Sequence, residues 1–175
     1  MTIKELIQFR RSIRKYQDKA IAPKIITELL EAARWAPSAR NVQPWAFKIV
    51  TGVEDKNKLR EAKVFMRDFV YTAPAIIVCC TNQEEYPKDK FEPTRQASLD
   101  KWSMIDLGLA TENMLLQAAD LGLGACVVGM IDMEKIKSVL NIPEKYFIPY
   151  VISVGYPDEA PAPTPRKSLE EIMIN

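Results

Sequence analysis

Residues 96–121, QASLDKWSMIDLGLATENMLLQAADL, decide the fold, because they predict one long helix with apolar side chains on nearly every face. The apolar positions are Leu99, Trp102, Met104, Ile105, Leu107, Leu109, Met114, Leu115, Leu116, Ala118, Ala119 and Leu121. A helix that is apolar on every face is buried on every face. Since a chain of 175 residues has little deep interior, we expect a partner chain to cover one face of this helix.

Shorter helices and four apolar strands surround this helix in the sequence. Helices are predicted in TIKELIQFR, with a Thr2–Glu5 capping box, in PKIITELLEAARW, which opens on Pro23, in EDKNKLREAKVFMRDFV and in DMEKIKSVL. Strands are predicted in WAFKIVT, PAIIVCCT, GACVVG and FIPYVISVGYP. Few strands and long helices predict an α+β fold, a mixed α/β layer in which helices flank a small central sheet. The length fits a single domain over residues 1–175.

Two polar segments are expected on the surface. Residues 82–95, NQEEYPKDKFEPTR, predict a long loop, and long loops in compact domains are often functional. The tail of residues 158–175, DEAPAPTPRKSLEEIMIN, is proline-rich and then amphipathic. Such a tail is too extended to pack by itself, yet it ends in apolar residues. We therefore expect an arm that lies on another surface, with the partner subunit favoured.

The composition excludes several classes of protein. The net charge of +1 gives no global field toward nucleic acid or membrane. No stretch approaches a membrane span and the first residues lack the apolar core of a signal peptide, so we expect a cytoplasmic location. The chain has no histidine, which excludes histidine triads and imidazole catalysis. Without a Cys/His cluster we expect no metal site, and an enzyme of this composition would need a cofactor.

The three cysteines do not suggest a disulfide framework. Cys79 and Cys80 are adjacent in the apolar run PAIIVCCT, which predicts buried thiols in a strand. A redox-active vicinal pair is the alternative, although the chain has no CxxC motif.

A basic cluster follows the first predicted helix. Arg10, Arg11, Ser12 and Arg14 combine forked guanidinium donors with a hydroxyl. Together they suit a monoester phosphate and a second acceptor nearby. The alternative for this string alone is a solvated basic turn.

The loop of residues 37–45, PSARNVQPW, carries two amide side chains. Asn41 and Gln43 each donate and accept hydrogen bonds, so they suit the edge of a heteroaromatic ring that does both. Pro37 and Pro44 stiffen the loop and lower the entropy cost of holding that geometry. The alternative is an ordinary connection from a helix to a strand.

The glycine-rich residues 122–129, GLGACVVG, do not form a dinucleotide-binding motif. They depart from GxGxxG and run from a helix into a strand, the reverse of the Rossmann order. Their small side chains instead predict close packing, or close approach of the backbone to a flat ligand. The chain has no Walker A string, which disfavours an NTPase. A further basic pair, Arg166-Lys167, would by itself be only a charged tail.

Taken in order, these strings resemble the nitroreductase family of FMN-dependent oxidoreductases over nearly the whole chain. RRSIRKY comes first, followed by LLEAARWAPSARNVQPWAFKIV, IDLGLATENMLLQAADLGLGACVVG, VISVGYP and PRKSLEEI. The resemblance implies a nitroreductase-like fold and an intertwined homodimer, with the C-terminal arm on the partner subunit. It also implies two FMN sites, each built from both chains.

The resemblance assigns the site residues in groups. Two basic groups would hold the phosphate and the pyrimidine edge of FMN, with the phosphate held by Arg10, Ser12 and Arg166, and with Arg11 and Lys167 beside them. Arg14 would face N1/O2 of the flavin. The other chain would contribute Pro37, Ser38, Ala39 and Asn41, with Gln43 nearby. Val128 and Gly129 would present backbone near the ring.

Two departures from the family pattern matter for the site. Some members place an Asn and a Lys against the flavin in the segment that here is KVFMRDFVYT, so Met66 or Arg67 would have to substitute. The chain is also short for the family. The region that usually elaborates the substrate pocket is reduced to residues 82–95.

The implied activity is transfer of hydride from NAD(P)H through flavin N5 to a small planar acceptor, such as a nitroaromatic or a quinone, by a ping-pong mechanism. The protein would hold the ring, stack donor and acceptor on one face and stabilise the reduced anion. A cation near N1/O2 favours that anion, which is the role expected of Arg14. Two alternatives stay open: a specialised flavin reductase or dehalogenase for one metabolite, and a non-catalytic flavin-binding module.

Overall fold

The computed structural model describes residues 1–86 and 93–174, and the side chains of all of these except residues 93–100. The helices are α1 (Ile3–Phe9), α2 (Pro23–Arg34), α3 (Val53–Glu61), α4 (Pro93–Asp120), α5 (Met133–Leu140) and α6 (Leu169–Ile172). The strands are β1 (Trp45–Val50), β2 (Ala75–Asn82), β3 (Gly124–Val128) and β4 (Tyr146–Gly155). The predicted capping box of Thr2 and Glu5 is present at the start of α1.

The described strands form one antiparallel sheet in the order β1-β2-β4-β3. β2 and β4 lie in the middle, and all eight residues of β2 are buried. Ile77 of β2 pairs with Ile152 of β4, which in turn pairs with Val127 of β3. The α+β prediction of a small central sheet flanked by helices is therefore confirmed.

Alternate residues of β2 point into two separate cores, because successive strand side chains face opposite sides of a sheet. On one side Ile77 packs with Leu29 of α2 and Leu107 of α4. On the other side Ile76 packs with Leu59 of α3 and other apolar side chains from α5. Burying a side chain of this size contributes about 1.5–3 kcal/mol, so both helical layers are held to the sheet from its centre.

The adjacent cysteines of β2 are separated by the same alternation. Cys79 belongs to the core under α2 and α4, and Cys80 belongs to the core under α3 and α5. Both are free thiols, as is Cys126. Burial raises the pKa of Cys79 well above its usual value and raises the pKa of Cys80 to about 11. The prediction of buried thiols in a strand is confirmed, and the geometry disfavours a redox-active vicinal pair.

The helix predicted in EDKNKLREAKVFMRDFV is wrong in its second half. α3 ends at Glu61, Lys63 has a positive φ of 52°, and a 3-10 turn covers Asp68–Thr72. Between them the backbone pairs with the segment after β3, since Phe65 bridges Ile131. Long-range pairing thus overrides local helix propensity here.

The predicted loop of residues 82–95 is shorter than expected. Asn82 ends β2, a 3-10 turn covers Gln83–Glu85, and α4 already begins at Pro93. Proline suits the first position of a helix because its missing N–H needs no partner there. Residues 87–92 of the predicted loop lie outside the described part of the chain.

The long helix α4 leaves one apolar stripe open in the single chain. Trp102, Ile105 and Leu109 are 47%, 49% and 43% exposed, although Leu107 and Met114 on the opposite side are fully buried. Their spacing of three and four residues places them on one face. The prediction that one chain cannot cover every face of this helix is borne out, while the partner chain that would cover it stays a prediction. None of the helices in the described ranges is both long enough and apolar enough to cross a membrane.

Candidate functional site

The basic segment of residues 10–16 lies extended against the edge strand β3. Ser12 and Ala125 form an isolated parallel β-bridge, in which the N–H of Ile13 donates to the carbonyl of Ala125 at 3.0 Å. Ile13 is buried, and a Cβ added to Gly124 would lie only 2.6 Å from the Cβ of Ile13. Gly124 therefore permits the close packing that the glycine-rich stretch predicts, and it fixes the basic segment on the sheet.

The start of the C-terminal arm holds the same segment from the other side. The carboxylate of Glu159 accepts from the backbone N–H of Arg14 at 2.5 Å and of Lys15 at 3.2 Å. The Tyr16 hydroxyl donates to the carbonyl of Ile13 at 2.5 Å and lies 2.8 Å from the hydroxyl of Ser153 on β4. The backbone that carries Arg14 is thus positioned by β3, by β4 and by the arm.

Arg14 faces a cavity of about 470 Å³, here called the Arg14 cavity. It is lined by Arg14, Arg67, Phe69, Cys126, Val127, Val128, Gly129 and Met130. Its volume falls within the range of about 300–1,000 Å³ that is usual for small-molecule sites. Three residues predicted from sequence, Arg14, Val128 and Gly129, therefore meet in one cavity.

Of the two substitutes that the sequence left open, one lines the Arg14 cavity, and which of them contacts a flavin stays a prediction. Arg67 lines it, whereas Met66 is 71% exposed and does not. The N–H of Met66 donates to the carbonyl of Met130 at 3.2 Å, which holds this segment beside the strand end. Two arginines and the residues at the end of β3 thus line the same space, and arginine side chains are donors suited to an anionic or electron-rich planar group.

Cys126 lines this cavity and was not singled out from the sequence. Burial raises the pKa of its thiol, although Arg14 and the hydroxyl of Ser12 lie close enough to lower it in part. Since burial has the larger effect, the thiol is neutral at neutral pH. The alternation of side chains along β3, which directs Cys126 into a buried core, was the sequence signal that could have located this thiol.

Arg10 and Arg11 line a second cavity of about 310 Å³, together with apolar residues of α4 and the start of the arm. One guanidinium nitrogen of Arg11, Nη1, donates to the carbonyls of Gln8, Phe9 and Arg10 at 2.6, 3.2 and 2.9 Å. Arg11 thus satisfies carbonyls at the end of α1. The Nε of Arg10 lies 3.8 Å from the carboxylate of Glu112, a loose and partly exposed ion pair.

The loop of residues 38–43, here called the amide loop, has a strained backbone. Arg40, Asn41 and Gln43 have φ angles of 54°, 57° and 53°, in the left-handed region. Such conformations cost about 1–3 kcal/mol each and persist only where the surroundings enforce them. The N–H of Gln43 donates to the hydroxyl of Ser38 at 3.0 Å, which closes the loop. Within one chain, none of the predicted residues Pro37, Ser38, Ala39, Asn41 and Gln43 lines the Arg14 cavity.

A buried carboxylate beneath the amide loop escaped the sequence analysis. Asp106 of α4 is 1% exposed and accepts from the N–H of Ala39 and from the hydroxyl of Tyr86. One acidic residue inside the apolar run MIDLGLA was the only available signal, and it did not indicate which loop the carboxylate would meet.

The basic pair of the arm lies apart from both cavities. The Nη1 of Arg166 donates to the hydroxyl of Thr164 at 2.7 Å and more weakly to the carbonyls of Thr164 and Pro165. Neither Arg166 nor Lys167 lines the Arg14 cavity or the second cavity of its own chain. The arm ends in exposed apolar side chains, among them Leu169, Ile172 and Met173.

The chain is similar to known proteins over nearly its whole length. A model of the Nitroreductase family matches residues 7–66 and 61–156. A protein of Archaeoglobus fulgidus, provisionally named an NADH dehydrogenase/NAD(P)H nitroreductase, is 36% identical over 160 residues, which cover 89% of this chain and 85% of that protein. The FMN reductase (NADPH) of Bacillus subtilis is 28% identical over 173 residues, with 93% and 68% covered. The crystal structure of a nitroreductase family protein from Clostridium difficile is 26% identical, with a TM-score of 0.83 over 99% of this chain and 98% of that one.

Proposed function

Because the chain belongs to the nitroreductase family, we propose that it is an FMN-dependent enzyme that passes hydride from NAD(P)H to a small planar acceptor by a ping-pong mechanism. Its fold is the nitroreductase-like one expected from sequence, and as a family member it is an NAD(P)H-dependent oxidoreductase. The proposed acceptors are nitroaromatics, quinones or similar rings. The cytoplasmic location stays a prediction.

The observation that carries this proposal is the meeting of Arg14, Arg67, Val128 and Gly129 in one cavity. A planar ring can approach the backbone of Gly129, since the nearest atom to a Cβ built there is the carbonyl oxygen of Pro149, 3.8 Å away. When bound, FMN supplies the acceptance and donation of hydride. Arg14 and Arg67 would stabilise the negative charge that reduction places on the pyrimidine edge.

The phosphate would be held at the other end of the basic segment. Because extended chain advances about 3.3 Å per residue, Arg10 and Arg14 are separated by about 13 Å along it. Arg10 and Ser12 can therefore reach a phosphate while Arg14 meets the ring. Arg166 would complete the phosphate site, with Lys167 nearby, once the arm is seated. Arg11 is the weakest member of the predicted group because its guanidinium is engaged at the end of α1.

The proposed enzyme is a homodimer with sites at the subunit boundary. The exposed stripe of Trp102, Ile105 and Leu109 supports a second copy against α4. The apolar end of the arm would lie on that partner. The amide loop, with Pro37 immediately before it, would contribute Pro37, Ser38, Ala39 and Asn41, with Gln43 nearby, to the FMN site of the other subunit. None of these residues lines the Arg14 cavity of its own chain, which is consistent with this assignment.

An absorption spectrum of the purified protein tests the proposal directly. We expect a flavin spectrum, bleaching of that spectrum by NADH or NADPH without air, and recovery on addition of a quinone or nitroaromatic. Protein that is colourless and fails to bind added FMN would overturn the proposal. Flavin that neither nicotinamide bleaches would leave only a binding module. Turnover rates across a panel of acceptors distinguish a broad reductase from a specialised one. Analytical ultracentrifugation measures whether the protein is a dimer.

A further inference from the structure

Asp106 joins three parts of the molecule at one buried carboxylate. Its two oxygens lie 3.0 and 3.2 Å from the N–H nitrogen of Ala39, the first residue of the turn in the amide loop. One of these oxygens also accepts from the hydroxyl of Tyr86 at 2.5 Å. The helix α4, the amide loop and the segment after β2 therefore meet at this side chain.

Burial of a carboxylate is unfavourable unless donors replace the lost water. Asp106 is 1% exposed, and the N–H of Ala39 and the Tyr86 hydroxyl provide such donors. Burial and the bond to Asp106 raise the pKa of Tyr86, so its hydroxyl keeps the proton that it donates. The carboxylate is thus held in one orientation, with an oxygen directed at the amide loop.

The amide loop needs such a constraint. Three of its residues, Arg40, Asn41 and Gln43, occupy the left-handed region that side chains other than glycine avoid. Ser38 closes the loop at Gln43, and Asp106 fixes Ala39 immediately before the left-handed pair. A backbone in this conformation is enforced by its surroundings, and the side chain of Asp106 is one part of those surroundings.

We propose that Asp106 is a positioning residue that, through Ala39, holds the amide loop in the conformation that presents Ser38 and Asn41 to the flavin ring of the partner subunit. The inference rests on the proposed function. It adds that the affinity for the ring depends on a carboxylate that touches neither flavin nor substrate.

Asp106→Asn tests the proposal with little change of shape. An asparagine has one acceptor and one NH₂ donor, so one of the two contacts with the N–H of Ala39 becomes donor against donor. We expect the Kd values of FMN and riboflavin to rise by the same factor, about tenfold, which is about 1.4 kcal/mol. The factor is shared because the amide loop is proposed to contact the ring, which both ligands have. Asp120→Asn, the same change at an exposed position of α4, should leave both Kd values unchanged.

Hydrogen exchange at the Ala39 amide provides a second readout on the same proteins. Protection of this amide should fall in Asp106→Asn and not in Asp120→Asn. If Asp106→Asn does not fold, Tyr86→Phe carries the test, because it removes one donor and keeps the carboxylate. There we expect a smaller rise, about threefold, again equal for FMN and riboflavin.

Several outcomes would overturn the inference. A folded Asp106→Asn protein with wild-type Kd values, even if less stable, would reduce Asp106 to a structural role. A loss confined to FMN would place the effect at the phosphate instead. If Asp106→Asn does not fold, unchanged Kd values of FMN and riboflavin in Tyr86→Phe would contradict the inference. Wild-type protein that binds no flavin would instead overturn the proposed function, on which the inference depends.

Discussion

The two ends of the chain both carry basic residues, yet they are held in different ways. Residues 10–16 lie on β3, where Ile13 bonds to Ala125 and packs against Gly124. The described residues of the arm beyond Glu159 are exposed. The hydrogen bonds described for the Arg166 guanidinium go only to Thr164 and Pro165 of the same arm. The N-terminal segment is fixed on the sheet within a single chain. The C-terminal arm has exposed apolar and charged groups, and we propose that they pack against the partner subunit.

Of the variants that test this difference between the two ends, Gly124→Val should have the largest effect on stability and FMN affinity. It disturbs the attachment of residues 10–16 and leaves the arm unchanged. The new Cβ would lie 2.6 Å from that of Ile13, so the basic segment must shift away from β3. Overpacking of this kind lowers the free energy of unfolding by about 1–3 kcal/mol. We expect FMN affinity to fall roughly a hundredfold, about 2.8 kcal/mol, because Arg10, Ser12 and Arg14 move together. Denaturant unfolding and FMN titration measure the two effects.

Gly52→Ala is the matched control for that change. Gly52 has a φ of −66°, and no heavy atom lies within 4 Å of an added Cβ. FMN affinity should not change in this variant, and because Gly52 is the N-cap of α3, where alanine is less favourable than glycine, the free energy of unfolding should fall by only about 0.5–1 kcal/mol. Wild-type FMN affinity in Gly124→Val would mean that the contact between residues 10–16 and β3 does not position the site.

The sequence predicted those features that depend on local pattern or buried apolar runs. The four strands were found because their apolar runs fill both cores, and α4 was found because its apolar spacing is helical over many turns. The segment around Phe65 was mispredicted, because its bridge to Ile131 depends on residues far away in sequence. The local sequence around Phe65 contains no signal that predicts such a long-range pairing.

The candidate site divides in the same way. Arg14, Val128 and Gly129 were grouped through the family resemblance, and the structure brings them together in one cavity. Asp106 could not be assigned from sequence, because one acidic residue within a helix does not indicate which loop lies above it. The sequence predicts that the arm lies on a partner subunit, and this stays a prediction because the surface proposed to receive the arm would belong to another chain.

A second prediction concerns the C-terminal end alone. Arg166→Ala should remove a charge-assisted bond to the phosphate, worth about 1.5–3 kcal/mol, so the Kd of FMN should rise about tenfold to a hundredfold. Riboflavin, which has no phosphate, should bind as before. Lys145→Ala removes an exposed cation elsewhere and should change neither affinity. Full FMN occupancy of purified Arg166→Ala would show that the arm does not reach the phosphate.

A third prediction separates the ring end of the basic segment from its phosphate end. Arg14→Ala should lower the flavin reduction potential by about 30 mV, which is about 1.4 kcal/mol for a two-electron couple, because a cation near the reduced ring is lost. Arg67→Ala should act in the same direction. Met66→Ala is the matched control, since Met66 does not line the Arg14 cavity. Potentials measured against reference dyes would contradict the assignment if Arg14→Ala left them unchanged.

The smallest effect comes from a pair of helix caps, one at each end of the chain. Thr2 and Ser168 each form a capping box, with Glu5 and Glu171 respectively, and loss of such a cap costs about 1 kcal/mol. Because Leu6 of α1 lies with Leu116 and Gln117 of α4 along one groove of the same chain, Thr2→Ala should lower the free energy of unfolding and leave subunit affinity nearly unchanged. Neither helix has a buried residue in the single chain, but α1 packs against α4, whereas α6 packs to a similar extent against no other described helix or strand. Ser168→Ala should therefore act on subunit affinity instead, by a factor of about five. Sedimentation and denaturant unfolding of both variants make the comparison. Equal subunit affinity in the two would mean that α6 does not lie on the partner, and the contrast between the two ends would then come from the solvent exposure of the arm alone.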